Sequence, residues 1–366
     1  MALIKDIYSA SFIDRFGSYL EQVVPAFDKK KFTSLVFDKD FKHKEWKDRM
    51  KHITSVLHEF LPKDFPKAVK LIRKLIMTLQ KDNFGEDSLA FVIFPDYIGT
   101  YGLEDFTTSV EAFEFVTQFV SCEFAVRPFV LRYGQRMIDE MIRWSKHPNY
   151  KVRRLASEGS RPRLPWAMAI PALKKDPAAI LPLLENLKND PHEWVRRSVA
   201  NNLNDIAKDH PDIVLRLAAK WKGISKETDS IIKHGSRTLL KKGDSRILKH
   251  YGLDSNGISI GVFKILTSSL KIGQHLEFSF RISNDTTSEK TVRLEYGIYY
   301  QMANGQLTRK VFKISERVFT AGEVSQVHRR QSFKLITTRK FYVGEHKVSV
   351  ILNGEEKLIK TFKITP

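Results

Sequence analysis

Apolar residues recur at spacings of three and four positions along the first two-thirds of the chain, up to about residue 252. Between Phe65 and Leu79 the apolar residues fall on one face of a helix, and three lysines and Arg73 fall on the other. Spacing of this kind is typical of amphipathic helices that bury one face. The pattern therefore predicts a mainly helical N-terminal part.

Residue–proline pairs predict where several helices begin. Proline fits the first turn of a helix, because its missing N–H is not needed there. The pairs are His147-Pro148, Asp176-Pro177, Asp190-Pro191 and His210-Pro211. Asp190 also precedes Glu193 by three positions, which predicts an arrangement close to a capping box. We expect short antiparallel helices from these starts.

An internal repeat indicates how the helices are organised. The segment Pro148–Arg154 is echoed 43 residues later by Pro191–Arg197, and a weaker copy passes through residues 231–237. A period near 40 with two helices per unit is typical of HEAT-like repeats, which stack into a solenoid. The repeated arginine pairs are then predicted to form rows along one face as DNA-binding residues: Arg153, Arg154, Arg196 and Arg197.

After Gly252 the pattern changes to short runs rich in β-branched and aromatic residues. Asn304-Gly305 and Asn353-Gly354 are dipeptides that favour two-residue hairpin turns. About seven such strands predict an immunoglobulin-like sandwich. We expect a helical-repeat domain over residues 1–253, a linker near 254–257, and an all-β domain over 257–366. The predicted runs are Val262–Leu266, His275–Ile282, Thr291–Tyr300, Val324–Leu335 and Lys347–Leu352.

The charge balance favours a polyanionic partner. The chain has 61 Lys and Arg against 42 Asp and Glu, a net charge of +19, and the segment from residue 257 onward has 18 against 9. Such an excess attracts nucleic acid or an acidic membrane surface. No stretch approaches 18 apolar residues without charge, so we predict no membrane-spanning segment.

A single cysteine, Cys122, rules out an intramolecular disulfide and fits a reducing compartment. Its apolar neighbours predict a core residue rather than a nucleophile. The first six residues include Lys5 and Asp6 where a signal peptide needs an apolar run. We therefore expect a cytosolic protein. We also expect it to be associated with the nucleoid and to be a monomer.

Any chemistry must come from carboxylates, arginines and aromatic residues. The sequence has no phosphate loop, no dinucleotide-binding glycine pattern, no zinc-spaced Cys/His cluster and no helix-hairpin-helix. Three acidic residues stand in unusual surroundings: Glu123, Glu158 and Asp205. A charge in an apolar helix is costly unless it faces a groove or a partner. The alternative is ordinary i, i+4 ion pairs, Glu123 with Arg127 and Glu158 with Arg154.

Trp166 follows the Pro- and Arg-rich break that contains Arg161 and Arg163. A basic loop with an exposed aromatic ring can contact phosphates and press the ring against a sugar or base. A tryptophan filling the core below a loop is the alternative. We interpret Trp194 as a core residue, and the remaining tryptophans, Trp46, Trp144 and Trp221, as structural.

Several of these segments resemble the AlkC/AlkD superfamily of HEAT-like-repeat DNA glycosylases, and the AlkC branch with a C-terminal immunoglobulin-like domain in particular. The similarity spans nearly the whole chain. It includes the segments Ile4–Ser9, Pro25–Asp28 and Ser121–Pro128, and it is most specific in Arg153–Trp166 and Val195–Pro211.

The resemblance implies hydrolysis of the bond between deoxyribose and a cationic alkylated base, with release of 3-methyladenine or 3-methylcytosine from duplex DNA. It implies no metal and no organic cofactor. Carried over by position, Glu123, Glu158 and Asp205 would be the catalytic carboxylates and Trp166 would line the lesion pocket. Arg154 and Arg161 would hold the DNA backbone around the lesion.

Two other functions fit the same composition. One is a non-enzymatic HEAT-repeat scaffold that binds DNA or protein, with the carboxylates as structural ion-pair partners. The other is an adaptor in which the β domain recognises a protein. Only the glycosylase requires the carboxylates for base release.

Overall fold

A computed structural model of the protein describes residues 3–335 and 339–365. Met1 and Ala2, at the start of the segment considered above for a signal peptide, lie outside these residues. The chain divides into two compact units, one up to Gly235 and the other from Ser236 onward. The change from helix to strand comes later, because β1 begins at Ile258. Two short helices, α15 and α16, therefore belong to the second unit.

The described residues contain sixteen α-helices and four short 3-10 helices. The α-helices are α1 (Ala10–Val23), α2 (Lys29–Val36), α3 (Trp46–Phe60), α4 (Phe65–Lys81), α5 (Ile93–Tyr101), α6 (Phe106–Val116), α7 (Arg127–Tyr133), α8 (Gln135–Trp144), α9 (Tyr150–Gly159), α10 (Pro171–Lys175), α11 (Leu181–Leu187), α12 (Glu193–Ile206), α13 (Pro211–Trp221), α14 (Lys226–Gly235), α15 (Arg237–Lys242) and α16 (Ser245–His250). The 3-10 helices are Ile4–Ile7, Phe41–His43, Leu89–Val92 and Ala178–Ile180.

The amphipathic segment predicted from Phe65 to Leu79 is helix α4. Asp64 caps its first turn by accepting a hydrogen bond from the Lys67 N–H, and the apolar face is buried. The prediction of a capping box at Asp190 is wrong. Helix α12 is instead capped by His192, whose Nδ1 accepts from the Trp194 N–H, while Asp190 binds the His192 N–H before the helix begins.

The sequence repeat corresponds to stacked helix pairs. Helix α9 packs against α12, α12 packs against α14, and each also packs against the α-helix before it: α8, α11 and α13. The caps repeat as well, because Asn149 caps α9 at the position that His192 occupies before α12. This is the arrangement expected of a HEAT-like array.

The second unit contains two sheets with the strand orders β1-β3-β6 and β2-β8-β7-β4-β5. Neighbouring strands are antiparallel except β2 and β8. A core of large apolar side chains, including Phe278, Ile298 and Val350, is buried in this unit. The described residues of this unit form eight strands, where about seven were predicted: β1 (Ile258–Ile265), β2 (Ser269–Lys271), β3 (His275–Asn284), β4 (Lys290–Gln301), β5 (Leu307–Phe319), β6 (Val324–Ser332), β7 (Gly344–Leu352) and β8 (Glu355–Thr365).

The two predicted hairpin turns differ in the structure. Asn353 and Gly354, with φ of 45° and 78°, form the expected two-residue turn between β7 and β8. Asn304-Gly305 instead lies within the longer connection from residue 302 to 306, which the backbone hydrogen bond from Met302 N–H to the Gln306 carbonyl closes.

The turn between β7 and β8 provides a test of packing in the second unit. We expect Gly354→Ala to be clearly destabilising, because a Cβ there would lie 2.8 Å from Gly243 Cα and 2.9 Å from a Leu248 methyl carbon. Gly322→Ala is the matched control: its φ is also positive, at 70°, but no atom lies within 4 Å of the added Cβ. Both variants should lose roughly 1–2 kcal/mol of unfolding free energy, because alanine must adopt a positive φ. Gly354→Ala should lose roughly 1–3 kcal/mol more, because the added Cβ overpacks the turn. Equal losses of unfolding free energy would contradict this account.

In the part of the chain that the structure describes, no helix is long and apolar enough to cross a membrane. Cys122 is fully buried, and burial raises its thiol pKa well above the usual range. Its interpretation as a core residue is confirmed.

Candidate active site

A groove in the helical unit contains four of the residues selected from the sequence. Glu123, Glu158, Arg161 and Trp166 all line this cavity of about 340 Å³. We call it the carboxylate groove. Its apolar lining residues are Trp46, Leu89, Val92, Val120, Phe124, Leu164 and Pro165.

Glu123 lies in the turn between α6 and α7, at the side of the groove. Its Oε2 accepts a hydrogen bond from the Ser121 hydroxyl at 2.8 Å and lies 2.8 Å from an Arg154 guanidinium nitrogen. The same Arg154 nitrogen also donates to the Ser121 oxygen. The i, i+4 pair with Arg127 considered from the sequence does not form. Glu123 keeps a partly exposed carboxylate that is fixed by two polar partners.

Glu158 is buried near the end of α9 and is bound by two donors. Arg161 Nη1 donates to its Oε1 at 2.6 Å, and the Ser198 hydroxyl of α12 donates to its Oε2 at 2.6 Å. The i, i+4 pair with Arg154 does not form, since Arg154 pairs with Glu123 instead. The carboxylate therefore has a fixed orientation within the groove wall.

Arg161 links the carboxylates of two successive repeats. Its Nη1 contacts Glu158 and its Nε donates to Asp205 Oδ2 at 2.8 Å. Burial lowers the pKa of Arg161, but the two carboxylates outweigh this and hold it above the usual value. We call Glu158, Arg161 and Asp205 the Arg161 network. Arg161 is only 7% exposed, and its guanidinium is engaged by this network; that it also holds the DNA backbone stays a prediction.

Asp205 lies below the surface of the groove and is not part of its lining. It is 1% exposed, and its second oxygen, Oδ1, pairs with Lys208 Nζ at 2.9 Å. Two cations thus balance this carboxylate. Its position supports Arg161, whereas Glu123 and Glu158 line the groove itself.

Trp166 presents its ring to solvent at the groove wall. Its side chain is 67% exposed, with the ring 6.1 Å from that of Trp46. Its φ of +63° lies in the left-handed region that L-residues rarely adopt. Lys47 donates a hydrogen bond to the Trp166 carbonyl and holds this conformation from α3. The interpretation as an exposed aromatic is confirmed, and the alternative of a core-filling ring is wrong.

The two arginines of each repeated pair have different surroundings. The first of each pair donates from Nη1 to two carbonyls that precede its own helix: Arg153 to His147 and Pro148, and Arg196 to Asp190 and Pro191. Arg153 also forms a two-point ion pair with Asp190. Both residues have structural partners at equivalent positions of the repeat. That Arg153 and Arg196 also bind DNA stays a prediction.

The second member of each pair lies closer to the surface. Arg154 and Trp194 line a cavity of about 450 Å³ that also includes Glu123, so this cavity adjoins the carboxylate groove. Arg197 is exposed, and its guanidinium lies 5.8 Å from the Trp194 ring centre. Trp194 is 55% exposed, so its interpretation as a core residue is wrong.

Arg163, the remaining predicted DNA-binding residue, forms a partly exposed ion pair with Asp209 at 2.6 Å. Trp144 and Trp221 are fully buried, as expected of structural residues. Trp46 is also buried, but it lines the groove beside Trp166, a role that sequence reasoning missed. Ser198 was missed too. The repeat offered a signal for it, because Leu155 stands at the equivalent position of the preceding unit.

Stacked helix pairs with a groove lined by carboxylates and tryptophans, followed by a β-sandwich, define a two-unit HEAT-like-repeat protein. Residues 56–237 match the family described as DNA alkylation repair enzyme, and residues 259–366 match the C-terminal Ig-like domain of the uncharacterised protein YhaZ. The chain is 42% identical over 365 residues to the uncharacterized protein YhaZ of Bacillus subtilis, covering 100% of both chains.

A solved structure is similar over its full length. The alkylpurine DNA glycosylase AlkC of Pseudomonas fluorescens, bound to DNA containing an abasic site analog, matches with a TM-score of 0.94 and 34% identity over 100% of both chains. The protein belongs to the DNA alkylation repair enzyme family, in the AlkC-like branch that carries a C-terminal Ig-like domain.

Proposed function

We propose that this protein is a DNA glycosylase that hydrolyses the N-glycosidic bond of cationic alkylated bases, including 3-methyladenine and 3-methylcytosine, in duplex DNA. The observation that carries the proposal is the shared groove of Glu123, Glu158 and the exposed Trp166. Family membership and the similarity to an alkylpurine glycosylase support it.

The reaction requires little acid assistance, because an N3-alkylated base already carries a positive charge. The bond between C1′ and the base nitrogen breaks, and its electron pair neutralises the departing base. Positive charge develops on the sugar, as in glycoside hydrolysis. A water oxygen then bonds to C1′ and loses a proton to a carboxylate or to solvent. Carboxylates in a groove suit both tasks, since they stabilise the cationic sugar and orient or deprotonate water.

We assign different roles to the three acidic residues. Glu123 and Glu158 line the groove, and we propose that they act on the sugar and the attacking water. Asp205 is sealed between Arg161 and Lys208, so we propose that it positions Arg161, which in turn fixes Glu158. Trp166 would press its exposed ring against the lesion nucleotide. No step of this reaction requires a metal or an organic cofactor.

Duplex DNA is the proposed partner, as the charge of +19 favours. We propose that Arg154, Arg163 and Arg197 contact phosphates, since each lies outside the Arg161 network. We expect Arg197→Ala to reduce the slope of log K against log salt by about one, the effect of one lost phosphate contact. The matched control is its neighbour Arg196→Ala, because Arg196 donates to the carbonyls of Asp190 and Pro191. Salt titrations of DNA affinity check this, and equal slopes for the two variants would place DNA elsewhere.

The test of the proposed activity is incubation of the protein with methylated duplex DNA, followed by identification of the released bases. Release of 3-methyladenine or 3-methylcytosine, with abasic sites left in the DNA, is the expected result. Tight DNA binding without base release would favour the non-enzymatic scaffold.

A further inference from the structure

A second buried arginine lies behind the groove without an acidic partner. Arg127 begins α7, four residues after Glu123, and it is fully buried. Its Nε donates to the Met168 carbonyl at 2.6 Å, and its Nη1 donates to the carbonyls of Gly159 and Arg161 at 3.0 and 2.8 Å. In the described part of the chain, no carboxylate lies within ion-pair distance of this guanidinium.

The three acceptors are distributed along one segment of backbone. Gly159 ends α9 directly after Glu158, Arg161 carries the Arg161 network, and Met168 follows Trp166 by two residues. We call residues 159–168 the tryptophan loop. Arg127 therefore binds the backbone of this loop at residues 159, 161 and 168. These hydrogen bonds connect Arg127 to the segment that carries both Arg161 and the exposed ring of Trp166.

Placing a cation here without a direct ion pair has a cost. Burial, and then the charge of Arg161, lower the pKa of Arg127 to about 10, although the charges of Asp205 and Glu158 partly oppose this shift. Its guanidinium still stays protonated near neutral pH, because that value lies well above 7. Buried charges are otherwise paired with opposite charges as a rule. A cation retained under these conditions, with every observed hydrogen bond directed at one loop, indicates a role in holding that loop.

We infer that Arg127 is a positioning residue of the glycosylase reaction: it holds the tryptophan loop so that Trp166, Arg161 and Glu158 line the carboxylate groove. The inference rests on the proposed function. A planar guanidinium donates in several fixed directions at once, whereas a lysine ammonium is a point charge on a flexible chain. Lysine at position 127 would keep the charge but not this three-carbonyl geometry.

Arg127→Lys is the first test. We expect the single-turnover rate of base release to fall on the order of 10²-fold, the cost of misplacing reacting groups by about 1 Å. Affinity for DNA with an abasic analogue should change little, because residue 127 is sealed from solvent. The matched control is Arg49→Lys on α3: Arg49 is also buried and also donates to backbone carbonyls of other segments, those of Lys5 and Lys44. An equal loss of rate in both variants would mean that Arg127 has only a structural role.

A double-mutant cycle separates positioning from stability. Trp166→Ala and Arg127→Lys should each slow base release, but the second change should add little to the first, because both act through the same loop. Rates are measured well below the unfolding temperature of each variant. If the two changes slowed base release in a fully additive way, the inference would be overturned. The same holds if the rate recovers on cooling to the extent that the fraction of folded protein recovers.

Fluorescence gives a readout that does not depend on catalysis. The Trp166 contribution, obtained by subtracting a Trp166→Phe protein, should show altered acrylamide quenching in Arg127→Lys and unaltered quenching in Arg49→Lys. If Arg127→Lys does not fold, guanidinium added to Arg127→Ala replaces the lost group and should restore the quenching. Unchanged Trp166 quenching in every soluble Arg127 variant would refute the inference. A protein that releases no base but shows the altered quenching would refute only the proposed function.

Discussion

Glu158→Gln is expected to fold normally and to release alkylated bases at least on the order of 10²-fold more slowly, the lower end of what a positioned general base contributes. The exchange is nearly isosteric. The glutamine oxygen can still accept from Arg161, and the amide can donate to Ser198, whose hydroxyl is able to turn and accept. The exchange removes the negative charge that Glu158 is proposed to place beside the cationic sugar. Single-turnover release of 3-methyladenine from methylated DNA measures the loss.

Glu111→Gln is the control for this experiment, because it removes a carboxylate from the exposed surface of α6. It should leave base release unchanged. Thermal unfolding and affinity for abasic-analogue DNA should be similar for the two variants. If Glu158→Gln released bases at the normal rate, the proposed role of Glu158 would be wrong, and Glu123 would be the carboxylate to examine next.

Arg161→Met is expected to cause the largest loss of stability among the changes considered for this groove. Removing one partner of a buried ion pair costs about 3–5 kcal/mol, because the other partner stays buried without compensation. Here Glu158 loses its cation altogether, while Asp205 keeps Lys208. Base release should also fall, since Glu158 loses the contact that orients it. Denaturant unfolding measures the first effect and single-turnover kinetics at low temperature measure the second.

The pH dependence of this variant has a definite sign. The pKa of Arg161 is raised in the fold, so its stabilising contribution is fully present below its ordinary value and constant across the neutral range. The deficit of Arg161→Met in unfolding free energy should therefore be the same at every pH in the neutral range. The control is Arg163→Met in the same loop, whose partly exposed pair with Asp209 should be worth no more than about 1 kcal/mol. Equal losses for the two variants would contradict a buried network.

Local patterns in the sequence were sufficient to predict the architecture. The 43-residue echo predicted the stacking of α9 on α12, and alternation after Gly252 predicted a β-sandwich. These features follow from periodic burial, which each segment encodes by itself. The contribution of α15 and α16 to the second unit could not be predicted in this way, because their own pattern is helical like that of the first unit.

The pairing of charges within the site could not be predicted from spacing. Glu123 and Arg127, and likewise Arg154 and Glu158, are separated by four positions, as in ordinary helical ion pairs. In the fold Glu123 pairs with Arg154, Glu158 pairs with Arg161, and Arg127 binds carbonyls. Glu158 and Arg161 are only three positions apart, but contacts between segments distant in the sequence decide the partners of Glu123 and Arg127. Such contacts depend on the stacking of whole repeats and are not encoded in any single helix.

The Arg161 network joins the end of one helix pair to the end of the next, with Glu158 near the end of α9 and Asp205 near the end of α12. The network is therefore a product of stacking, and neither repeat contains it alone. A repeat inserted between these two helices would lengthen the array but separate Asp205 from Arg161 and Ser198 from Glu158. Variation in the length of such proteins should accordingly be tolerated at the ends of the array and excluded at this one junction.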